Sequence, residues 1–191
     1  PRAKHIRAQF ELKRSLRTRD LVFNDQRTFG WLSVEELTDG VPSSAAHIAY
    51  DPFDPRFDYQ STISKIAKRN IRIKTALLNQ EIMSGVGNIY ADEGLWSAKI
   101  HPETPANALA LHDVERLLLA LREVMMRAID AGGTSIDEQY KRVNGESGYF
   151  DVELNAYGQD GEPCARCGTL IQRLRFMNRS SHLCPKCQKK R

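Results

Sequence analysis

Apolar and polar positions alternate along His5-Ile6-Arg7-Ala8-Gln9-Phe10-Glu11-Leu12, placing Ile6, Ala8, Phe10 and Leu12 on one face of a strand. Leu21-Val22-Phe23 and Phe29-Gly30-Trp31-Leu32 are short apolar runs either side of Asn24-Asp25-Gln26-Arg27, and they predict further strands within residues 4–34. Residues 40–59 read as a linker, punctuated by Gly40, Pro42, Pro52 and Pro55. The period then changes from two to 3.6. Ile63, Ile66 and Ala67 share one face of a first helix, Ala76-Leu77-Leu78 opens a second, and Asn88 to Trp96 forms a third. Val114, Leu117, Leu118, Leu121, Val124, Met125 and Ile129 make the apolar stripe of a fourth. Asp113 and Glu115 suit its positive end, and Gly132-Gly133 supplies its stop. Residues 134–150 are a polar, glycine-containing loop.

Cysteine spacing adds what periodicity cannot. Cys164, Cys167, Cys184 and Cys187 are the chain's 4 cysteines, arranged as two Cys-x2-Cys turns separated by residues 168–183. Each turn offers two thiolates to one ion, and the intervening residues can fold back as a hairpin, which predicts a tetrahedral zinc site. Four thiolates leave no open position for water, so one zinc is expected in a structural role. Two disulfides are the alternative, and they require an oxidising compartment for which the sequence has no signal segment.

Charge is distributed unevenly around that module. The chain carries 28 Lys+Arg and 24 Asp+Glu, a net +4. Residues 162–191 hold Arg166, Arg173, Arg175, Arg179, Lys186, Lys189, Lys190 and Arg191 against Glu162 alone. A basic, metal-stapled tail on a near-neutral chain points to a phosphate backbone; a solvated tail that offsets the thiolates is the blander reading. Hydrophobic content of 41% and charged content of 27% fit a globular protein, and no stretch reaches the length of a membrane span.

Ser84-Gly85-Val86-Gly87-Asn88 supplies a second phosphate signal. Two glycines permit a tight turn, and Asn88 can cap the helix that follows, so backbone N–H groups and a helix N-terminus face outward together. A dinucleotide-binding loop is disfavoured because no parallel-strand unit flanks the glycines. Lys68, Arg69, Arg72 and Lys74 lie just upstream, as phosphate contacts or as a solvated helix face.

Gly85-Val86-Gly87-Asn88-Ile89-Tyr90-Ala91-Asp92-Glu93 resembles the helix-two-turn-helix motif of the Fpg/Nei DNA glycosylases, with His101-Pro102 at the family's spacing. The resemblance continues through Gly132-Gly133-Thr134, Gly148-Tyr149-Phe150, Tyr157-Gly158 and Gly161-Glu162-Pro163-Cys164, and ends in the four-cysteine finger with Arg179 and Cys184-Pro185-Lys186-Cys187-Gln188. Upstream, Asp25-Gln26-Arg27-Thr28-Phe29-Gly30 is similar to the family's Asp-x-Arg-x-Phe-Gly loop. Its formamidopyrimidine-DNA glycosylase branch is the nearer one.

This resemblance implies an α+β, multidomain chain: part of a β-sandwich over 1–45, a helix-two-turn-helix domain over 46–155 and a zinc-finger hairpin over 156–191. It implies base-excision repair, with removal of oxidised purines such as 8-oxoguanine from duplex DNA followed by strand cleavage at the abasic site. Arg27 would pair with the orphaned cytosine and Phe29 would wedge the stack. Asn88, Lys74 and Arg69 would hold phosphates, Arg179 would bind the lesion phosphate and assist elimination, and Val143, Asn144, Gly145, Glu146, Ser147, Gly148 and Tyr149 would close over the flipped base. The family's nucleophile is an N-terminal proline followed by glutamate, with a lysine from an early strand. Here Pro1 precedes Arg2-Ala3-Lys4-His5, and motif alignment sets residue 1 inside the sandwich, so that Pro-Glu and the early lysine are not expected within this chain. A contact histidine of the family falls near Ala3. The resemblance further implies a monomer in the bacterial cytoplasm, acting at the nucleoid and without a membrane partner. Its alternatives are a non-catalytic DNA-binding fragment and an endonuclease VIII-type enzyme for oxidised pyrimidines; a zinc-stabilised protein-interaction domain is the bland one.

Overall fold

The computed structural model describes residues 4–26, 28–133 and 154–190. They form two compact units, one up to Ala46 and one from His47 onward.

In the first unit, β1 (Ile6–Arg14) and β2 (Arg17–Asn24) make an antiparallel hairpin. Phe10 lies opposite Leu21 and Ala8 opposite Phe23, with a register irregularity between Ile6 and Ala8. The predicted face therefore forms, yet Phe10, Leu12, Leu21 and Val22 are all exposed. Phe29 to Leu32 is not a strand. The Asp25 carboxylate instead accepts from Thr28 N–H at 2.8 Å and Gly30 N–H at 2.7 Å, and this side-chain turn competes with strand pairing. A short ladder of β3 (Leu37–Thr38) with β4 (Val41–Pro42) follows, then a 3-10 turn at Ser43–Ala45.

The second unit has a helical core. In α1 (Tyr59–Ala67), the Asp58 side chain accepts from Ser61 N–H at 2.9 Å and caps the first turn, while Ile63 and Ile66 turn inward. The next helix, α2 (Ile73–Leu77), begins before Ala76 and ends where the apolar pattern suggested a start. Its residues are buried almost all round, so no stripe marked its beginning. Helix α3 (Asn88–Ser97) likewise has no polar face: Ala91, Asp92, Glu93, Gly94, Leu95 and Trp96 are all buried.

Helix α4 (Leu111–Asp130) is the long amphipathic element the stripe predicts, with Val114, Leu117, Leu118, Leu121, Val124 and Met125 in the core. Two positions differ. Ile129 is exposed and Ala128 takes the inward place. Of the two acids, Asp113 belongs to the first turn, buried and bonded by Arg116 at 2.7 Å. The double glycine closes the helix as expected: Gly132 N–H reaches Ile129 O at 2.9 Å and Gly133 N–H reaches Ala128 O at 2.7 Å, with both glycines at positive φ. Further along the chain, Leu154 packs with Ala131 beside Val124 and Ala128. The chain ends in the hairpin β5 (Gln172–Phe176) and β6 (Arg179–Leu183), with Arg173 opposite His182.

Among the described residues no helix is long and apolar enough to cross a membrane.

Candidate metal centre and nucleic-acid interface

The four cysteine Sγ atoms converge within 4.8 Å of one another. A tetrahedral zinc with Zn–S near 2.3 Å sets its sulfurs about 3.8 Å apart, and Cys167 lies 3.5 Å from both Cys184 and Cys187. Tight backbone turns shape each pair: Cys167 N–H and Gly168 N–H both donate to Cys164 O, and Cys187 N–H points at Cys184 Sγ at 3.4 Å. Hydrogen bonds from Thr169 hold the Cys167 thiol down at about 6. Burial, with the sulfurs of Cys167 and Cys184, pushes Cys187 up to about 12. A divalent cation relieves that opposition by stabilising every thiolate at once. The donor set fits one structural zinc.

Several long-range bonds fasten this metal module to the helices. Gln188 is buried; its Oε1 accepts from Cys184 N–H at 2.8 Å and its Nε2 donates to Ile100 O at 2.9 Å. Arg166 donates to Trp96 O at 2.6 Å and to Ser97 O at 3.2 Å, stacking its guanidinium 3.5 Å from the Trp96 ring. The last carbonyls of α3 are thereby satisfied by a side chain from the finger.

At the other end of α3, β6 is tied to two adjacent helices. Asp92 accepts from Ser181 Oγ at 2.7 Å and from His182 N–H at 2.9 Å, and it pairs with Lys74 Nζ at 2.6 Å. Lys74 also donates to Ser180 O at 3.2 Å, and Asn88 Nδ2 donates to the same carbonyl at 3.1 Å. Burial lowers the Lys74 pKa and the Asp92 carboxylate opposes that shift. Next along the helix, Glu93 is equally buried and faces a different segment. It accepts from Asn155 N–H at 3.0 Å and from Ala156 and Tyr157 N–H at 2.8 Å each, which are charge-assisted bonds to three successive residues.

These bonds bring Arg179 beside the start of α3. Gly87 is the helix cap, with no side-chain cap bond, and Asn88 is the first helical residue. That corrects the expectation of Asn88 as cap: its amide reaches across to Ser180 instead of back to the helix. The glycine turn before it is braced by Gln80, which accepts from Gly85 N–H at 3.1 Å and donates to Val86 O at 3.1 Å. Gly85 has φ 83°, a conformation in which a side chain is strained. Gly87, Thr75, Asn79, Asn178 and Arg179 line one concave groove of about 420 Å³, whose remaining wall includes the apolar Leu78, Val86 and Met177. The first-turn N–H groups of a helix lack intrahelical acceptors, so this groove joins a helix N-terminus to an exposed guanidinium, a combination suited to an anion.

The remaining expected residues fall as follows. Arg69 is exposed after α1. Lys74 was expected at a phosphate but is fully buried in its pair with Asp92; the competing attraction is an acid that α3 supplies from within the fold. Phe29 is 82% exposed, beside the Asp25 turn in the first unit. Arg27 and the segment Val143 to Tyr149 lie outside the described residues. Asp92, Glu93, Gln188 and Arg166 were not singled out from the sequence as anchors. The one available signal was an α3 whose acids sit among buried positions with no polar face to receive them.

Residues 48–140 match the formamidopyrimidine-DNA glycosylase H2TH domain, and residues 161–190 match the zinc finger found in FPG and IleRS. The formamidopyrimidine-DNA glycosylase of Corynebacterium glutamicum strain R is 52% identical over 191 residues, covering 100% of this chain and 66% of that protein. That of Thermobifida fusca is 53% identical over 174 residues, covering 88% and 59%. The crystal structure of the MutM (Fpg) protein of Thermus thermophilus superposes with a TM-score of 0.84 at 32% identity, covering 100% of this chain and 71% of that one. MutM in complex with DNA containing carbocyclic 8-oxo-G superposes at 0.80 with 35% identity, covering 100% and 68%. The chain thus spans about two thirds or less of the length of the curated relatives it matches.

Proposed function

Because this chain belongs to the formamidopyrimidine-DNA glycosylase family, we propose that it serves base-excision repair, recognising oxidised purines such as formamidopyrimidine and 8-oxoguanine in duplex DNA. The observation that carries this reading is the groove in which Gly87, at the N-terminus of α3, meets Arg179 of the zinc hairpin. The solved complex of MutM with 8-oxo-G DNA supports the choice of lesion.

Within that reading Arg179 and Asn88 hold phosphate at the lesion, Arg69 contacts a neighbouring phosphate, and Arg179 assists elimination. Phe29 and Arg27 occupy the duplex where the base is removed, and residues 143–149 cover the flipped base. Lys74 acts differently from its expected role: with Asp92 it fixes β6, and so sets where Arg179 points. The zinc holds the hairpin and takes no part in chemistry. The protein acts as a monomer on DNA of the bacterial cytoplasm, over three domains at 1–45, 46–155 and 156–191. Glycosylase and abasic-site lyase chemistry in this family begin with a proline amine attacking the sugar C1′. A second reading for this chain is DNA binding without strand cleavage.

Borohydride trapping tests both. The chain is incubated with duplexes that are undamaged or carry 8-oxoguanine opposite cytosine, an abasic site, or thymine glycol, and affinity at rising salt is measured beside the trapping. Salt-sensitive binding that prefers the 8-oxoguanine and abasic duplexes supports the proposal, and a covalent adduct with them adds the lyase step. Preference for thymine glycol moves the chain to the endonuclease VIII-type branch, and equal affinity for undamaged duplex overturns lesion recognition.

A further inference from the structure

The basic tail does not face in one direction. Arg173, Arg175 and Arg179 lie on the β5–β6 hairpin, near the N-terminus of α3. Lys186 and Lys189 lie beyond it and join Lys99 and Arg116 around a separate concavity of about 570 Å³ at the other end of α3, floored by Ser97 and Ala98. With ten residues in α3, the two hollows are separated by about 15 Å of helix. The second hollow therefore lies at the opposite end of α3 from the groove.

We propose that this second hollow is a docking site for an acidic peptide segment of a partner protein. No carboxylate lines it, and no described carboxylate pairs with Lys99, Lys186 or Lys189. Their neighbour Lys190 shows the contrast, since it is ion-paired with Glu103 at 3.0 Å. Arg116 has its guanidinium committed to Asp113 at 2.7 Å and to Ala98 O at 3.4 Å. The α3 carbonyls that would repel an anion are therefore covered, by Arg116 here and by Arg166 at Trp96 and Ser97. A four-thiolate zinc centre carries a formal −2, but only Cys187 of the four lines the hollow, and the lining stays cationic. Lys99 is held at φ 57°, where glycine would be unstrained, by the stop that pairs its N–H with Trp96 O.

Size indicates the kind of anion. The free donors are lysine ammoniums, point charges on flexible stems. A hollow of this size admits a few side chains, whereas a duplex is a rigid cylinder that can only pass across its mouth. Carboxylates on a flexible chain can meet three lysines in succession.

The test is fluorescence anisotropy of the full chain with a fluorescein-labelled peptide of alternating Asp and Glu, alone and with saturating duplex. The expected result is binding that weakens with salt and is unchanged by the duplex. The triple change Lys99→Glu, Lys186→Glu and Lys189→Glu should lose peptide affinity by about tenfold or more while duplex affinity stays within about threefold. Zinc content reports whether the variant has folded; if it has not, the milder Lys→Gln triple is read instead and should show a smaller loss of the same kind. The proposal is overturned if the peptide fails to bind at low salt, if duplex displaces it, or if duplex affinity falls together with peptide affinity, which would assign these lysines to nucleic acid. The peptide-only arm uses no DNA, so its outcome stands apart from the repair function.

Discussion

Lys74 Nζ meets Asp92 Oδ1 at 2.6 Å, with the lysine side chain 0% and the aspartate 1% exposed, and this one contact joins α2 to α3 beneath β6. Removing one partner of such a pair leaves a buried charge unmatched. Lys74→Met should lower stability by about 3–5 kcal/mol, and Lys74→Met with Asp92→Leu should recover part of that loss. Urea denaturation of the three proteins measures both steps. A loss under about 1 kcal/mol for the single change would show that Ser181 and His182 satisfy Asp92 unaided.

Chelation of the metal should unfold the finger and leave the helical core standing. Trp96 shares an apolar cluster with Cys164, Cys184 and Ile171, so its fluorescence should change as zinc leaves. Cys184→Ser should abolish stoichiometric zinc binding and reduce duplex affinity, while far-UV circular dichroism keeps the helical signal of α1 to α4. Retained zinc in that variant would exclude a four-thiolate centre.

Arg179→Ala should reduce the slope of log affinity against log salt by about 1 if the side chain neutralises one phosphate. Arg69→Ala should act similarly, and each should weaken lesion-bearing and undamaged duplex alike. Unchanged slopes would remove these arginines from the interface.

Gly94→Ala should destabilise the protein although alanine favours helices. A Cβ there would stand 2.6 Å from Leu121 Cγ and collide with Leu121 Cδ2, at the crossing of α3 and α4. The expected cost is about 1–3 kcal/mol, the range for overpacking. Thermal melts would show it, and the added change Leu121→Ala should relieve the clash while opening space elsewhere.

Glu35 makes a prediction about acid. The Ser33 hydroxyl first, then the Ser44 N–H and the Ser43 hydroxyl, hold its pKa at about 2 against an ordinary 4.5. Its stabilising contribution is complete above about 4.5 and is lost as pH falls through about 2. Glu35 is only half-buried and its partners are all within nine residues of it, so the effect is local. NMR titration of the Glu35 side chain should give the low midpoint, and Ser33→Ala should raise it.

Features governed by local chemistry could be read from the sequence. The α4 stripe, its glycine stop and the cysteine spacing each depend on a few neighbouring residues. Features governed by distant partners could not. Phe29 to Leu32 has the composition of a strand, yet Asp25 turns the chain through side-chain bonds. Lys74 looked like a surface base until α3 placed Asp92 against it. Helices α2 and α3 are buried nearly all round, which erases the periodicity that marks an amphipathic helix. The groove residues Gly87 and Asn88 stood out in the sequence, but their meeting with β6 depends on Ser180, some 92 positions later.

Asp92 and Glu93 hold β6 and residues 155–157 from successive positions of one helix. Together with the glycine stop after α4 and the packing of Leu154 on Ala131, Glu93 secures both flanks of the span between 133 and 154 to the same body. Such an arrangement is modular. The metal module downstream takes its orientation from α3 and the helical core, and not from the stretch of chain that leads to it.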